Sequence, residues 1–447
     1  MNKISTNTRF VLVSIHLLLG VLLLSEFFGR IYSAIIVAFG ILFIIRSNNK
    51  NNEAVLWSAY MVGAEVLFRM SGGMFFYELP KYSVLLFLFV GLYVEEKKHH
   101  ISFSYIAYIL LLLIGIAFVN IPFNESIRKA IAFNLSGPIL LGLAALYFYK
   151  RKLSVNFLIK MLFYMCLPII SMVTLLYFKT PDIKDIAFGT VSNFEASGGF
   201  GPNQVATILG LGIFIFTVHM YYKKRFFLFF IIDILMFTYL IFRGLITFSR
   251  GGMITALAAV LLFISFFIIS KKDKLKNIVR YVGLVGLFGL ALWLYTSNIT
   301  GGMLENRYTN RNALGIEKKD ASAGRVTLFK SELESFYNNP FFGIGVGGSK
   351  FYRKEKFDIE AASHNEMSRL LSEHGILGII ALLILIVVPV KNILNQSNLP
   401  RAFLSAFFVF WFLTINHSAM RIAFPAFIYG LSVITVVSNE KNSLYRE

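Results

Sequence analysis

The segment from Ala361 to Ile380, AASHNEMSRLLSEHGILGII, sets histidine, glutamate and arginine directly before a run of hydrocarbon side chains. Ser363, followed three residues later by Glu366, has the spacing of a capping box, which predicts a helix that begins at Ser363 with His364 in its first turn. The positive end of a helix disfavours imidazolium, so His364 is expected to be neutral and able to accept a proton. It is a candidate general base; the plainer alternative is a histidine bound to a headgroup or a loop carbonyl. Arg369 and Glu373 are four residues apart and can pair along the same helix, which is a structural role. His374, beside Gly375, has no role beyond that of an interfacial side chain.

A second stretch, YLIFRGLITFSRGGMITALAAVLLF from Tyr239 to Phe263, holds Arg243 and Arg250 in an otherwise apolar run. An arginine in such a run must be paired, snorkelling or turned to a polar cavity. In one continuous helix the two share a face, because seven residues are close to two turns. With Ser249, Gly251 and Gly252 beside them they point to an anion pocket, since guanidinium is a fork for phosphate and small neighbours allow close approach. Arg325 and Arg421 fall on the same side of the membrane by the charge rule below, although each alone could be a solvated surface arginine. Four arginines and a histidine on one side, with few acidic residues there to ligate a metal, match transfer from a diphosphate leaving group without metal or cofactor. The arginines would offset charge developing on the leaving phosphate, and the histidine would take the acceptor's proton.

These residues must be positioned by membrane helices. Of 447 residues 57% are hydrophobic and only 15% charged, well under the roughly 25% of a soluble domain. Apolar runs approaching the ~20 residues that cross a bilayer recur from end to end. They fall near 10–28, 31–45, 54–70, 80–94, 103–119, 130–149, 157–178, 203–220, 226–242, 251–270, 279–297, 370–390, 401–415 and 421–437, giving an all-α polytopic protein with about 12–14 spans. Twelve follows if the pair split at Gly29 and Arg30, or the other close pairs, are merged.

Lys and Arg concentrate in the breaks RSNNKNN, EEKKHH, YKRK, YYKKR, SKKDKLKNIVR and KNILNQSNLPR, which puts these breaks and both termini inside. Much of the formal +19 charge is thereby a topology signal, not a nucleic-acid surface. Cys166, the only cysteine, reads as a buried space-filler. The first apolar stretch reads as a retained signal anchor, and no internal repeat is evident.

Four regions follow: N-terminal helices (1–178), central helices with the arginine motif (179–297), a large outside loop (298–363), and C-terminal helices with a short cytoplasmic tail (364–447). The loop is too long for an unstructured connection. Within it Val326, Phe329, Leu333 and Phe336 form a helical stripe expected to pack on the tops of the membrane helices. The glycines of PFFGIGVGGSKFYR lack the GK[ST] ending of a phosphate loop and read as a close-packed turn.

At GPNQVATILGLGI (201–213), TFSRGGMITALAA (247–259), GRVTLFKSELESFYNNPFFGIGVG (324–347) and SHNEMSRLLSEHGILGII (363–380), the chain resembles the O-antigen ligase and O-antigen polymerase superfamily. That resemblance implies a GT-C type membrane enzyme of the bacterial inner membrane, its active site facing the periplasm, taking glycan from an undecaprenyl-diphosphate donor. It implies Arg250 at the leaving group, Arg325 as the loop arginine, His364 as general base and Glu373 as the acidic residue before glycine. Asn203 matches the asparagine of the family's PN motif, with packing and substrate binding both open. Arg243 and Arg421 are substrate-binding candidates from topology alone. The run GRVTLF lacks the tryptophan often found after the loop arginine, so acceptor contacts there are expected to differ.

The expected function is ligase-like transfer to an envelope acceptor such as lipid A core, metal-independent and inverting. A polymerase that uses lipid-linked repeats as both donor and acceptor is the alternative within enzymes. A transporter or flippase of lipid-linked glycan is the alternative outside them. Expected partners are the donor, the acceptor and membrane lipids, with no nucleic acid.

Overall fold

The computed structural model describes residues 5–96, 100–122, 125–183, 185–270, 275–320, 322 and 324–437. Eleven helices come first: α1 (Thr6–Leu22), α2 (Glu26–Ser47), α3 (Glu53–Ser71), α4 (Leu79–Val94), α5 (Phe103–Ile114), α6 (Ile127–Phe148), α7 (Val155–Lys179), α8 (Pro202–Tyr221), α9 (Phe230–Ile246), α10 (Arg250–Ser270) and α11 (Leu275–Ile299). The outer segment then folds as α12 (Met303–Tyr308), α13 (Arg325–Asn338) and α14 (Gly348–Phe357), followed by α15 (Glu366–His374). The bundle is completed by α16 (Ile376–Leu394), α17 (Asn398–His417) and α18 (Ala423–Leu431). Among the described residues, six helices, α2, α6, α7, α8, α16 and α17, are long and apolar enough to cross a membrane by length and composition. The chain is an all-α, multi-pass membrane protein; most of the apolar stretches fall on helices, but the one expected at 103–119 is helical only over Phe103–Ile114 and the one at 421–437 only over Ala423–Leu431, ending in a short strand at Thr435–Val437.

The helices differ from expectation at informative places. The first break lies at Leu23–Ser25 and not at Gly29 and Arg30, because Glu26 opens α2 and pairs with Arg30 one turn later. The span expected at 370–390 is interrupted at Gly375, whose φ of +59° ends α15 and lets α16 start in a new direction. Arg243 and Arg250 do not share a helix face: α9 ends at Ile246, and Phe248, with φ +56°, turns the chain before Arg250 opens α10.

The ends of the bundle agree with the charge pattern. Arg151 donates to Asn52 Oδ1 at 2.8 Å and to Glu95 Oε2 at 3.0 Å, and Asn49 donates to the same Glu95 oxygen at 3.1 Å. Three basic breaks therefore meet at one end. There a short parallel pair, β1 (Lys152–Ser154) with β2 (Thr435–Val437), joins the α6–α7 connection to the end of α18. Cys166 is buried in α7 among apolar neighbours.

On the outer segment, α13 is helical but rotated from expectation. Its buried face is Leu328, Ser331, Glu332 and Ser335, while Val326 and Phe329 are exposed. The reason is a polar network that outcompetes the apolar stripe: Ser335 bonds the Ser372 hydroxyl, which also lies 3.0 Å from Ser349 Oγ. The glycine-rich turn packs against α15, with Ile344 N donating to Ser372 O at 3.0 Å and Gly345 N to Glu373 O at 3.2 Å. At Gly345, φ +80°, a β-carbon would lie 2.1 Å from the Phe118 carbonyl oxygen, so only glycine fits.

Candidate active site

Asn365, not Ser363, caps α15: its Oδ1 accepts from Met367 N at 2.9 Å and Ser368 N at 3.3 Å. The Ser363 hydroxyl instead donates to Glu332, so the expected capping box is not formed. His364 therefore precedes the helix instead of occupying its first turn. It is nonetheless held neutral. Burial lowers its pKa from 6.5 to about 4, with Arg421 and then Arg325 adding in the same direction. The expected protonation state stands, but desolvation and neighbouring arginines produce it, not the helix end.

His364 is half-buried, and its Nδ1 has no hydrogen-bond partner. Its backbone is fixed on both sides: Ala419 N donates to His364 O at 3.1 Å, and Arg421 donates to Ser363 O at 3.1 Å. A cavity of about 150 Å³ opens beside it, lined by Arg325, Val326, Phe329, Glu332, Asn365 and Asn416 among others.

Beneath the cavity Glu332 is buried and accepts from Arg353 Nη1 at 2.8 Å and from the hydroxyls of Ser363 and Ser368. It thus grips the chain on either side of His364. Deeper in α15, Arg369 is buried between two carboxylates, reaching Glu373 Oε2 at 2.7 Å and pairing with Glu366. That triad braces α15 from within, and Arg369 and Glu373 are not turned toward His364's cavity lining.

Arg250 stands at the start of α10. The turn before it is tied to α8, since Ser249 Oγ donates to Asn203 Oδ1 at 2.7 Å, which gives Asn203 a packing contact. The glycines after Arg250 serve helix packing instead of anion approach. A β-carbon at Gly251 would lie 2.5 Å from the His417 ring, and one at Gly252 2.7 Å from Ala206 in α8. Arg250 and Arg421 both act electrostatically on Arg325, lowering its pKa after burial does so. Arg250, Arg325, Arg421 and His364 are thus brought together at the end of the bundle opposite the β pair.

Arg243 is placed elsewhere. It is buried, and its Nη2 donates to Thr180 Oγ1 at 2.5 Å, Ala196 O at 3.1 Å and Leu176 O at 3.4 Å, stitching α9 to the end of α7 and the segment that follows. Those oxygens give this arginine of an apolar run a bracing role at Nη2, while its buried Nε has no hydrogen-bond partner among the described residues.

Several residues at the site carry no signal in the sequence. Arg307, buried in α12, faces Arg250 and Arg325, and nothing in ENRYTNRN distinguishes it from Arg311. Glu65 and Arg69 in α3 pair at 2.7 Å and hold the Arg421 turn, with Glu65 Oε2 accepting from Ala423 N at 2.5 Å and Arg69 donating to Arg421 O at 3.4 Å. The Tyr77 ring covers Arg69, with 3.9 Å from the guanidinium carbon to the ring centre.

Residues 235–383 match the family model described as O-antigen ligase. The matched third of the chain contains Arg243, Arg250, Arg307, Arg325, Glu332, His364 and Glu373, whereas Asn203 and Arg421 lie outside it. No curated protein matches the chain.

Proposed function

We infer, from its place in the O-antigen ligase superfamily of glycan ligases and polymerases, that this chain transfers glycan from an undecaprenyl-diphosphate donor to an envelope acceptor, lipid A core being one candidate. The observation that carries this reading is one cavity lined by both His364 and Arg325, with Arg421 bonded to the residue before the histidine. The scheme is a single displacement. An acceptor hydroxyl attacks the donor's anomeric carbon, a new glycosidic C–O bond forms, and the bond from that carbon to the diphosphate oxygen breaks. His364 takes the hydroxyl proton, and Arg250 and Arg325 offset the charge left on the departing diphosphate. One displacement implies inversion. Arg421 sits beside the histidine to hold it neutral and to meet anionic substrate, while Asn203, Arg369, Glu373 and Arg243 act through packing. The donor's lipid tail would reach between helices of the inner membrane, with its sugars in the periplasm.

Purified protein given a defined lipid-linked donor and candidate acceptors, with products read by mass spectrometry, tests this. A glycan joined to an acceptor not carried on undecaprenyl diphosphate supports a ligase; an elongated undecaprenyl-diphosphate-linked glycan would make it a polymerase. Movement across the bilayer with no new bond would replace both by a flippase. H364A transferring glycan at the wild-type rate would remove the assigned base, and unchanged turnover in R250A would remove the leaving-group assignment.

A further inference from the structure

We propose that Arg307 and Lys318, two residues of the outer segment, complete the diphosphate site by forming with Arg250 a three-cation cradle. This rests on the donor reading above and adds residues to it.

The geometry begins with one carbonyl. Thr190 O accepts from Arg307 Nη1 at 3.1 Å and from Lys318 Nζ at 2.8 Å, so a guanidinium and an ammonium converge on a single oxygen. Arg307 Nε also donates to Phe248 O at 3.1 Å, two residues before Arg250, and its Nη2 reaches Ser192 Oγ at 3.5 Å. Closing a loop over a carbonyl needs one cation. Two on the same oxygen repel each other and exceed that need.

The donor tally points the same way. Guanidinium has five N–H groups and ammonium three. These contacts use three of the first and one of the second, leaving two N–H on each for a ligand. Arg307 is buried; Arg250 and Arg325, both cations, act on it in one direction and the Tyr308 side chain in the other, and the groups acting on Lys318 are Arg307 and Arg250. Burial and these arginines push Arg307 down to about 10, and Lys318 is also lowered, first by burial. Such a cluster is relieved by a multiply charged anion with several acceptor oxygens, which is the chemistry of a diphosphate.

The test uses the full chain in nanodiscs of zwitterionic lipid, titrated calorimetrically with inorganic diphosphate and with farnesyl diphosphate. Wild type should bind both. K318M and R307Q should each weaken binding about tenfold, as expected for losing a charge-assisted hydrogen bond, while R311M, which removes an exposed arginine of the same segment, should not. In turnover, K318M should raise the donor KM and leave the acceptor KM unchanged. Lys318 is half-buried with one side-chain contact, so K318M keeps the fold and the question open to measurement even if R307Q does not. Unchanged diphosphate affinity in K318M and R307Q, with only a lower melting temperature, would overturn the inference and leave a structural role. Loss of diphosphate binding when anionic phosphatidylglycerol replaces the neutral lipid would overturn it in favour of a headgroup site. Diphosphate binding that depends on both residues in a protein that transfers no glycan would support the cradle and refute the transferase reading instead.

Discussion

Arg421 donates to the carbonyl oxygen of Ser363 at 3.1 Å, so the turn between α17 and α18 sets a permanent positive charge one residue from His364. Neutral imidazole is the form that can accept a proton, and acidification removes it. Because His364 is lowered from 6.5 to about 4, kcat/KM should stay level as pH falls through 6.5 and decline only near 4. Among the charges acting on His364, Arg421 has the largest effect. In R421Q the acid limb should therefore move up toward 6.5. A pH–rate profile of the two proteins decides this: an acid limb that does not move in R421Q would mean that Arg421 does not set the histidine's charge.

Arg243 should behave differently from Arg250 although both sit in apolar sequence. Its guanidinium serves Thr180, Ala196 and Leu176; in R243M Leu176 O keeps the Thr180 N–H and hydroxyl, but the buried Ala196 O loses its side-chain donor. The expected cost is about 1–3 kcal/mol of stability, with a lower melting temperature and a donor KM within about twofold of wild type. A donor KM raised tenfold at unchanged melting temperature would return Arg243 to the substrate site.

The helices are legible in the sequence because apolar runs of bilayer length are costly to expose to water, and the meeting of Asn49, Asn52, Glu95 and Arg151 at one end of the bundle agrees with the sidedness read from lysine and arginine. Rotation and cause are not legible in the same way. The stripe Val326, Phe329, Leu333 and Phe336 suggests the wrong buried face of α13, since serines and Glu332 find partners on α14 and α15 that no local pattern reveals. The sequence attributes the neutral state of His364 to a helix end, yet its causes are burial and Arg421, which is 57 residues away in the chain. Arg307 and the Glu65–Arg69 pair stay hidden for the same reason: their meaning lies in contacts between distant segments.

Gly252 lets α10 approach α8 where the arginine turn is anchored. A β-carbon there would lie 2.7 Å from Ala206 and 2.8 Å from Thr207 N, so backbone must move. G252A should cost about 1–3 kcal/mol as overpacking. Turnover should also fall, because α8 carries Asn203, the acceptor that ties down Ser249 beside Arg250. Thermal melting and turnover of G252A measured together check this. Unchanged values for both would mean that the helices can separate without disturbing the turn.

Glu332 carries the final test, because it connects the scaffold to the proposed base. It accepts from Ser363 and Ser368, which flank His364, and balances the buried charge of Arg353 at 2.8 Å. E332A leaves that guanidinium unpaired, and removing one partner of a buried pair typically costs about 3–5 kcal/mol. E332M/R353M removes both charges and should recover much of the melting temperature. It cannot recover the two serine hydrogen bonds, so turnover should stay low with acceptor and donor binding retained. If the double variant regains both melting temperature and kcat, Glu332 is only the counter-charge of Arg353, and the placement of His364 is set by the Ala419 and Arg421 contacts instead.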